Sequence, residues 1–297
     1  MTPKTKGVAY LAFATILYSI MPVLIRTLGK GNIPPISQVF LRYSVACVAA
    51  IIYFVFTKSS YRIKKQDRIL FFCVALFGYA LVNVFYTYAN LYTHIGTVLF
   101  IFNCSTVMGP VLGCIFLKER ISRSIVVATI IGFVSLLFLF SPSPMASWRI
   151  GAVFAFISSV GSSLYVIGRK KLSGYDAPIL LVTNTVVGVL VVGALSFILE
   201  PSFYFGGGIM TISPVTWLVT ILFGLDNFLA YLCMTRGFGL VRAGEGSMIL
   251  LTENVIGIFF AYIFFQEIPT MQTFVGGGLI LCASILVIHE SFRGKTV

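Results

Sequence analysis

Charge is what this chain has least of. Asp, Glu, Lys and Arg together make up 10% of its 297 residues, against 58% apolar residues and a mean hydropathy of +1.00. A chain so poor in polar groups cannot cover a folded surface with them, which excludes a soluble domain and makes lipid its solvent. Histidine is almost missing: only His94 and His289 occur, at the ends of apolar runs on opposite sides, where they read as interfacial residues. With no H-E-x-x-H, no G-x-S-x-G and no cluster of His and Asp, nothing supplies a nucleophile, a catalytic metal or a cofactor site to a membrane-embedded enzyme. The absence of G-x-x-x-x-G-K-[ST] and of any soluble domain excludes an ATP-driven pump on this chain alone. The six cysteines, Cys47, Cys73, Cys104, Cys114, Cys233 and Cys282, lie inside apolar runs without C-x-x-C spacing, so they read as packing residues and not as a disulfide framework or zinc site.

What the chain has is long apolar runs. A hydrocarbon core of about 30 Å needs about 20 apolar residues per helix, with every backbone group bonded inside the segment. Ten such runs are expected as helices, at 7–25, 36–56, 69–90, 96–117, 122–140, 150–168, 178–199, 215–235, 245–265 and 269–289. They are apolar all round, whereas barrel strands alternate, so a β-barrel is disfavoured. The first run follows Lys4 and Lys6 but is long, lacks a small-x-small cleavage site and is followed by more spans, so it is kept as a helix and not a secretory signal. If the amino terminus is cytoplasmic, the outer side keeps only Arg26, Lys30 and Arg149, Arg42 lies within the second helix, and every other Lys and Arg falls inside. The expectation is an all-α integral membrane protein of the plasma membrane with both termini cytoplasmic. This topology accounts for the net charge of +12 without any nucleic acid, and the partners expected are the lipid bilayer and a small-molecule substrate.

The runs repeat. Glu119 and Glu267 close two copies of one pattern at an offset of 148 residues, and over 96–135 and 244–283 the copies match at Gly96/Gly244, Ile101/Ile249, Val107/Val255, Gly109/Gly257, Ile115/Ile263, Phe116/Phe264, Glu119/Glu267 and Val127/Val275. Five crossings separate the copies, so the second is upside down: two inverted five-helix repeats, 1–145 and 146–297, divided at the Ser/Pro-rich stretch 141–148. Each Glu is expected to tether its own hairpin through nearby backbone or basic groups. Gly109-x-x-x-Gly113 and its copy Gly257-x-x-x-Ala261 read as points of close helix packing.

The stretch Ala89 to Thr97, the closing Phe116-Leu117-Lys118-Glu119-Arg120, the second-half Leu250-Leu251-Thr252-Glu253-Asn254 followed by Phe264-Phe265-Gln266-Glu267, and Arg42 in helix two resemble the drug/metabolite transporter superfamily, in its ten-helix branch built from two EamA domains. The resemblance covers essentially the whole chain and implies a transporter, with a functional Glu at the position of Glu253. The family often carries Pro where Thr106 and Asn254 stand, while here Pro110 appears one turn later in the first copy.

Ionisable residues deep in the bilayer cost about 2.5 to 3.5 kcal/mol on insertion scales and so point to function. Arg42, Asp226 and Glu253 are the three. One reading pairs Arg42 with one of the carboxylates; the remaining carboxylate then binds a cationic group, takes up a proton, or alternates between the two. Polar side chains at helical spacing add to them. Tyr79, Asn83, Tyr86 and Asn90 share one face of helix three and should avoid lipid. Asn103 and Thr106 on helix four, Ser158, Ser162 and Tyr165 on helix six, Asn227 and Tyr231 on helix eight, and Thr252 beside Glu253 extend the set. Each alone is as well explained by interhelical hydrogen bonding, but together they outline a polar cavity, whose Tyr and Phe residues could stack on an aromatic or cationic solute. The expected function is a secondary transporter of a small polar or amphipathic metabolite, cationic or zwitterionic, working by alternating access at Glu253, Asp226, Asn227, Tyr79, Asn83, Tyr86, Asn103, Thr106, Thr252, Tyr165 and Arg42; the alternatives are a membrane-embedded enzyme or a channel-like facilitator.

Overall fold

A computed structural model describes residues 2–58, 62–117, 123–139, 146–172, 174–241 and 249–293, and they are helical with short connections. Six helices are long and apolar enough to cross a membrane: α1 (Pro3–Lys30), α2 (Pro35–Phe56), α3 (Lys65–Tyr92), α6 (Ala146–Lys171), α7 (Ala177–Leu199) and α8 (Pro214–Phe238). Four further helices carry shorter apolar stretches: α4 (Ile95–Leu117), α5 (Arg123–Leu139), α9 (Ile249–Phe265) and α10 (Met271–Arg293). Local chemistry sets the starts. Thr2 accepts the Thr5 N–H at 3.2 Å and Ser213 accepts that of Thr216 at 3.1 Å, each just ahead of a proline at the first helical position, where a missing N–H is no loss.

Two helices are irregular where they enter the interior. In α3 the residues Val74–Ala80 form a π-helical stretch between α-helical Arg68–Cys73 and Leu81–Tyr92. Gly78 lies in that stretch because a Cβ there would stand 2.7 Å from the Cβ of Tyr165 on α6, so only glycine lets the two helices come this close. In α9 the helix is interrupted at Thr252 and resumes as Glu253–Phe265. The break needs no proline: Thr252 and Asn254 turn their side chains onto the carbonyls of Ile249 (2.6 Å) and Leu251 (3.1 Å), in competition with the helical ladder.

The packing has an internal correspondence. α1 lies along α8, α2 along α7, α3 and α4 along α6, and α5 along α10. Advancing every helix by five places turns the α1/α8 contact into α6/α3, α1/α9 into α6/α4 and α2/α8 into α7/α3, while α2/α7, α4/α9 and α5/α10 map onto themselves. One departure stands out. α4 packs also against α5 and α10, whereas α9 rests on α1 and α4 and presents Val255, Phe259 and Phe264 outward. As read from the sequence, Gly257 and Ala261 mark a close approach, since a Cβ at Gly257 would lie 2.5 Å from Leu99 on α4. Gly109 and Gly113 carry no described packing, and Glu119 lies outside the described residues.

Glu267 corrects the expectation that it tethers its own hairpin. Gln266 ends α9 in a left-handed conformation (φ 55°), with its N–H on the Tyr262 carbonyl, an αL cap, and with the Glu267 N–H on that of Ala261. The Glu267 carboxylate thereby reaches the other half of the chain. It is ion-paired with Arg26 on α1 and accepts the Ile95 N–H at the start of α4 at 3.0 Å. His94 joins them, half-exposed, with Nδ1 3.5 Å from Glu267 Oε1. A second carboxylate plays a similar part: Glu200, at the end of α7, accepts from the N–H groups of Ile36 (2.9 Å) and Ser37 (2.7 Å) and from the Ser37 hydroxyl (2.6 Å), capping α2.

Candidate functional site

The polar residues expected at the centre fall into two groups. The first lies where α2, α3 and α8 meet, with α6 and α7 behind. Arg42 is fully buried on α2, its guanidinium over the rings of Phe223 (4.6 Å) and Tyr43 (5.5 Å), and donates from Nη2 to Asn83 Oδ1 at 2.7 Å. Gly224 on α8 is what brings that helix against Arg42: a Cβ there would lie 2.8 Å from the Arg42 carbonyl oxygen. Asp226 follows two residues later and is 9% exposed. Tyr79 stacks on Tyr43 with centroids 4.9 Å apart and donates to Asn227 Oδ1 at 2.9 Å, while Tyr43 and Asn83 both donate to the Tyr79 carbonyl at 3.0 Å. Tyr79 and Asn227 stand at the repeat offset of 148 residues, so this bond joins equivalent positions of the two copies. Behind them Asn184 donates to the hydroxyls of Tyr231 (3.1 Å) and Tyr165 (3.3 Å).

The reading that pairs Arg42 with a carboxylate is not met among the described residues. Arg42 makes no contact within 4.0 Å with either carboxylate among the described residues; the neutral Asn83 oxygen is its only hydrogen-bond acceptor there. Its Nε and Nη1, and Oδ2 of Asp226, are buried and bonded to no protein group. The reason is geometric. The guanidinium lies against the Phe223 and Tyr43 rings, and Asn83, anchored through its own amide to Tyr79, takes Nη2.

The second group lies at the break in α9. Glu253 opens the resumed helix, where the positive end of the helix dipole favours a carboxylate, and its backbone carbonyl accepts from Ser19 on α1 at 3.3 Å. Asn103 on α4 donates to Asn254 Oδ1 at 2.8 Å, crossing between the halves, with Thr106 one turn further along. Thr252 is exposed and its hydroxyl is spent on Ile249. Tyr86 packs edge-on against Phe102 at 5.0 Å. Its neighbour Asn90 is buried, as are Tyr79 and Tyr86, so the α3 stripe avoids the outer surface. Ser158, by contrast, bonds the Val82 carbonyl at 2.9 Å and only ties α6 to α3.

Sequence reading missed four residues here. Tyr43 carries the stack on Tyr79, Asn184 bridges two tyrosines, Asn254 was seen only as a lost proline, and Tyr18 donates to the Met234 sulfur at 3.4 Å. A signal existed for the last: Tyr18 stands between the polar Thr15 and Ser19, four residues before Pro22, which removes the N–H that would bond the Tyr18 carbonyl. No group of three or more His, Cys, Asp or Glu side chains is arranged to hold a metal among the described residues.

Comparison with known proteins decides the family. The model of the EamA-like transporter family matches residues 5–141 and again 149–289. This chain belongs to the EamA-like transporter family. It is thereby a multi-pass membrane transporter of the drug/metabolite transporter superfamily. It is similar to an uncharacterized transporter of Archaeoglobus fulgidus, at 26% identity over 94% of both chains. It is also similar to the pseudopaline exporter CntI of Pseudomonas aeruginosa, at 22% identity over 94% of both chains. A solved crystal structure superimposes with a TM-score of 0.68 over 97% of this EamA-like chain and 99% of the other, at 14% identity, which is a likeness of fold.

Proposed function

We propose that this EamA-like protein is a secondary-active transporter of the plasma membrane, moving a small polar or amphipathic metabolite, cationic or zwitterionic, by alternating access. All ten helices cross the membrane in this reading, as two inverted five-helix repeats with both termini cytoplasmic. The observation that carries it is the interior constellation of Arg42, Asp226 and Glu253 with Tyr79, Asn83 and Asn227, drawn from both halves of the chain, in a protein whose solvent makes buried charge costly. The five-place correspondence of helix contacts supports a rocking of one half against the other. Glu253, at a helix start and with no hydrogen bond or ion pair on its carboxylate among the described residues, is suited to exchange a proton or to bind a cation during the cycle.

Uptake or counterflow by the purified protein in liposomes tests this reading. The wild type accumulates a labelled solute against its gradient when a second gradient of solute or protons is imposed, and Glu253→Gln alters rate and pH dependence. Equilibration alone, without any coupled accumulation, would support the facilitator alternative. Passage of no solute at all would end the transporter reading for this chain's central site.

A further inference from the structure

Arg42 is fully buried, its guanidinium 4.6 Å from the Phe223 ring and 5.5 Å from the Tyr43 ring and tied at one nitrogen to Asn83, yet Nε and Nη1 donate to no protein group. Asp226 is in the mirror situation, buried with Oδ2 accepting from nothing in the protein. Asp226 lies three residues after Phe223, on the same face of α8, and Phe223 is the ring beneath the guanidinium. A buried donor set and a buried acceptor of opposite charge therefore stand close together without neutralising each other. Leaving either unpaired carries the full cost of desolvating a charge, and a direct pair would avoid it. The framework that keeps them apart, the two rings and the Asn83 bond, makes sense if a third body completes both.

We infer that Arg42 is the anion-reading residue of the central site: it takes a carboxylate of the transported solute at Nε and Nη1, while Asp226 takes the solute's cationic group. This rests on the transporter reading above and narrows it. The substrate must carry both poles at once, so simple amines and simple acids are poor substrates. Glu253, set in the other group at the break of α9, is left free for coupling instead of charge recognition.

The test uses the protein in nanodiscs and three matched sets of probes: alanine, phenylalanine, methionine and leucine; the amines obtained by removing their carboxylates; and the acids obtained by removing their α-amino groups. At least one zwitterion is expected to raise the melting temperature, with its amine and its acid each weaker by about ten-fold or more, the scale of a lost charged hydrogen bond. Arg42→Gln should bring the zwitterion down to the level of its amine, and Asp226→Asn down to the level of its acid. The wild-type probe comparison stands even where a variant fails to fold. An amine that binds as tightly as its zwitterion overturns the assignment of Arg42, as does stabilisation by none of the zwitterions. Liposomes that accumulate a solute lacking a carboxylate overturn this inference but leave the transporter reading intact, whereas liposomes that move nothing overturn that reading.

Discussion

Glu267 shows how one carboxylate can join three parts of a chain far apart in sequence. Burial on its own would raise its pKa. The hydrogen bond from His94, the charge and donors of Arg26 and the Ile95 N–H outweigh burial and hold it below the ordinary value of 4.5. The sign of the linkage follows. A group with a depressed pKa in the folded state stabilises that state fully above its ordinary value and loses the contribution as pH falls through the depressed one. Glu267→Gln removes the charge and should cost about 2 kcal/mol, in the range for hydrogen bonds to charged groups at a partly buried site. The gap in melting temperature between wild type and Glu267→Gln should be constant above pH 4.5 and should narrow below it; a gap that widens on acidification would show that Glu267 is not held ionised by these donors. At this scale the sequence was legible where the cost of polarity in hydrocarbon is steep: Arg42, Asp226, Tyr79 and Asn83 announce themselves by being where they are. It was not legible where the partner comes from another helix. Nothing in the chain near Glu267 points to Arg26 or Ile95, and Tyr43 looks like any other ring in a chain with 28 Phe and 14 Tyr.

Among the elements, α2 is fixed from outside itself. Its preceding residue is Pro34, which offers no side-chain cap, and its first N–H groups are satisfied by Glu200 across the bundle. Ser37 extends the link to Ser196 (2.8 Å) and receives from Tyr204 (3.0 Å) in the short helix Pro201–Phe205. Glu200→Ala should destabilise the protein by about 1 to 2 kcal/mol, the cost of losing a good cap, and should raise hydrogen exchange at Ile36 and Ser37 before it does so in the middle of α2. Unchanged exchange at those two amides would mean that the cap does not hold the helix start. Helix positions were readable from the apolar runs, because a span must be both long and continuous. The irregularities were not. Val74–Ala80 is as apolar as its neighbours, so the π-helical stretch leaves no mark on hydropathy, and only Gly78 records the approach of α6 that accompanies it. At the break of α9, a proline was the feature to look for, and Thr252 and Asn254 achieve the interruption by hydrogen bonding instead.

For the whole molecule, the departure from internal symmetry is more informative than the symmetry. If the chain is two inverted copies, its alternate state is obtained by exchanging the conformations of the copies, and each contact made by only one half should pass to the other. Here α4 packs on α5 and α10, while among the described residues α9 rests on α1 and α4: Val255 is 66% exposed although its counterpart Val107 is 4% exposed. A Cβ placed on Gly132 of α5 would stand 3.7 Å from the Cβ of Val107, near the usual separation across a disulfide of about 3.8 Å. Shifted by the repeat offset, that pair becomes Val255 and Ile280. In a variant lacking the six native cysteines, Val107→Cys/Gly132→Cys should therefore cross-link rapidly in the state described, and Val255→Cys/Ile280→Cys only in the alternate one. If the two contacts exclude each other, weakening the present state through Glu200→Ala and Glu267→Gln together should slow the first cross-link and speed the second, read as the fraction of protein oxidised against time. Both pairs oxidising at rates unaffected by these substitutions would mean that α4 and α9 do not trade places, and alternating access would then have to run through some motion other than exchange between the halves.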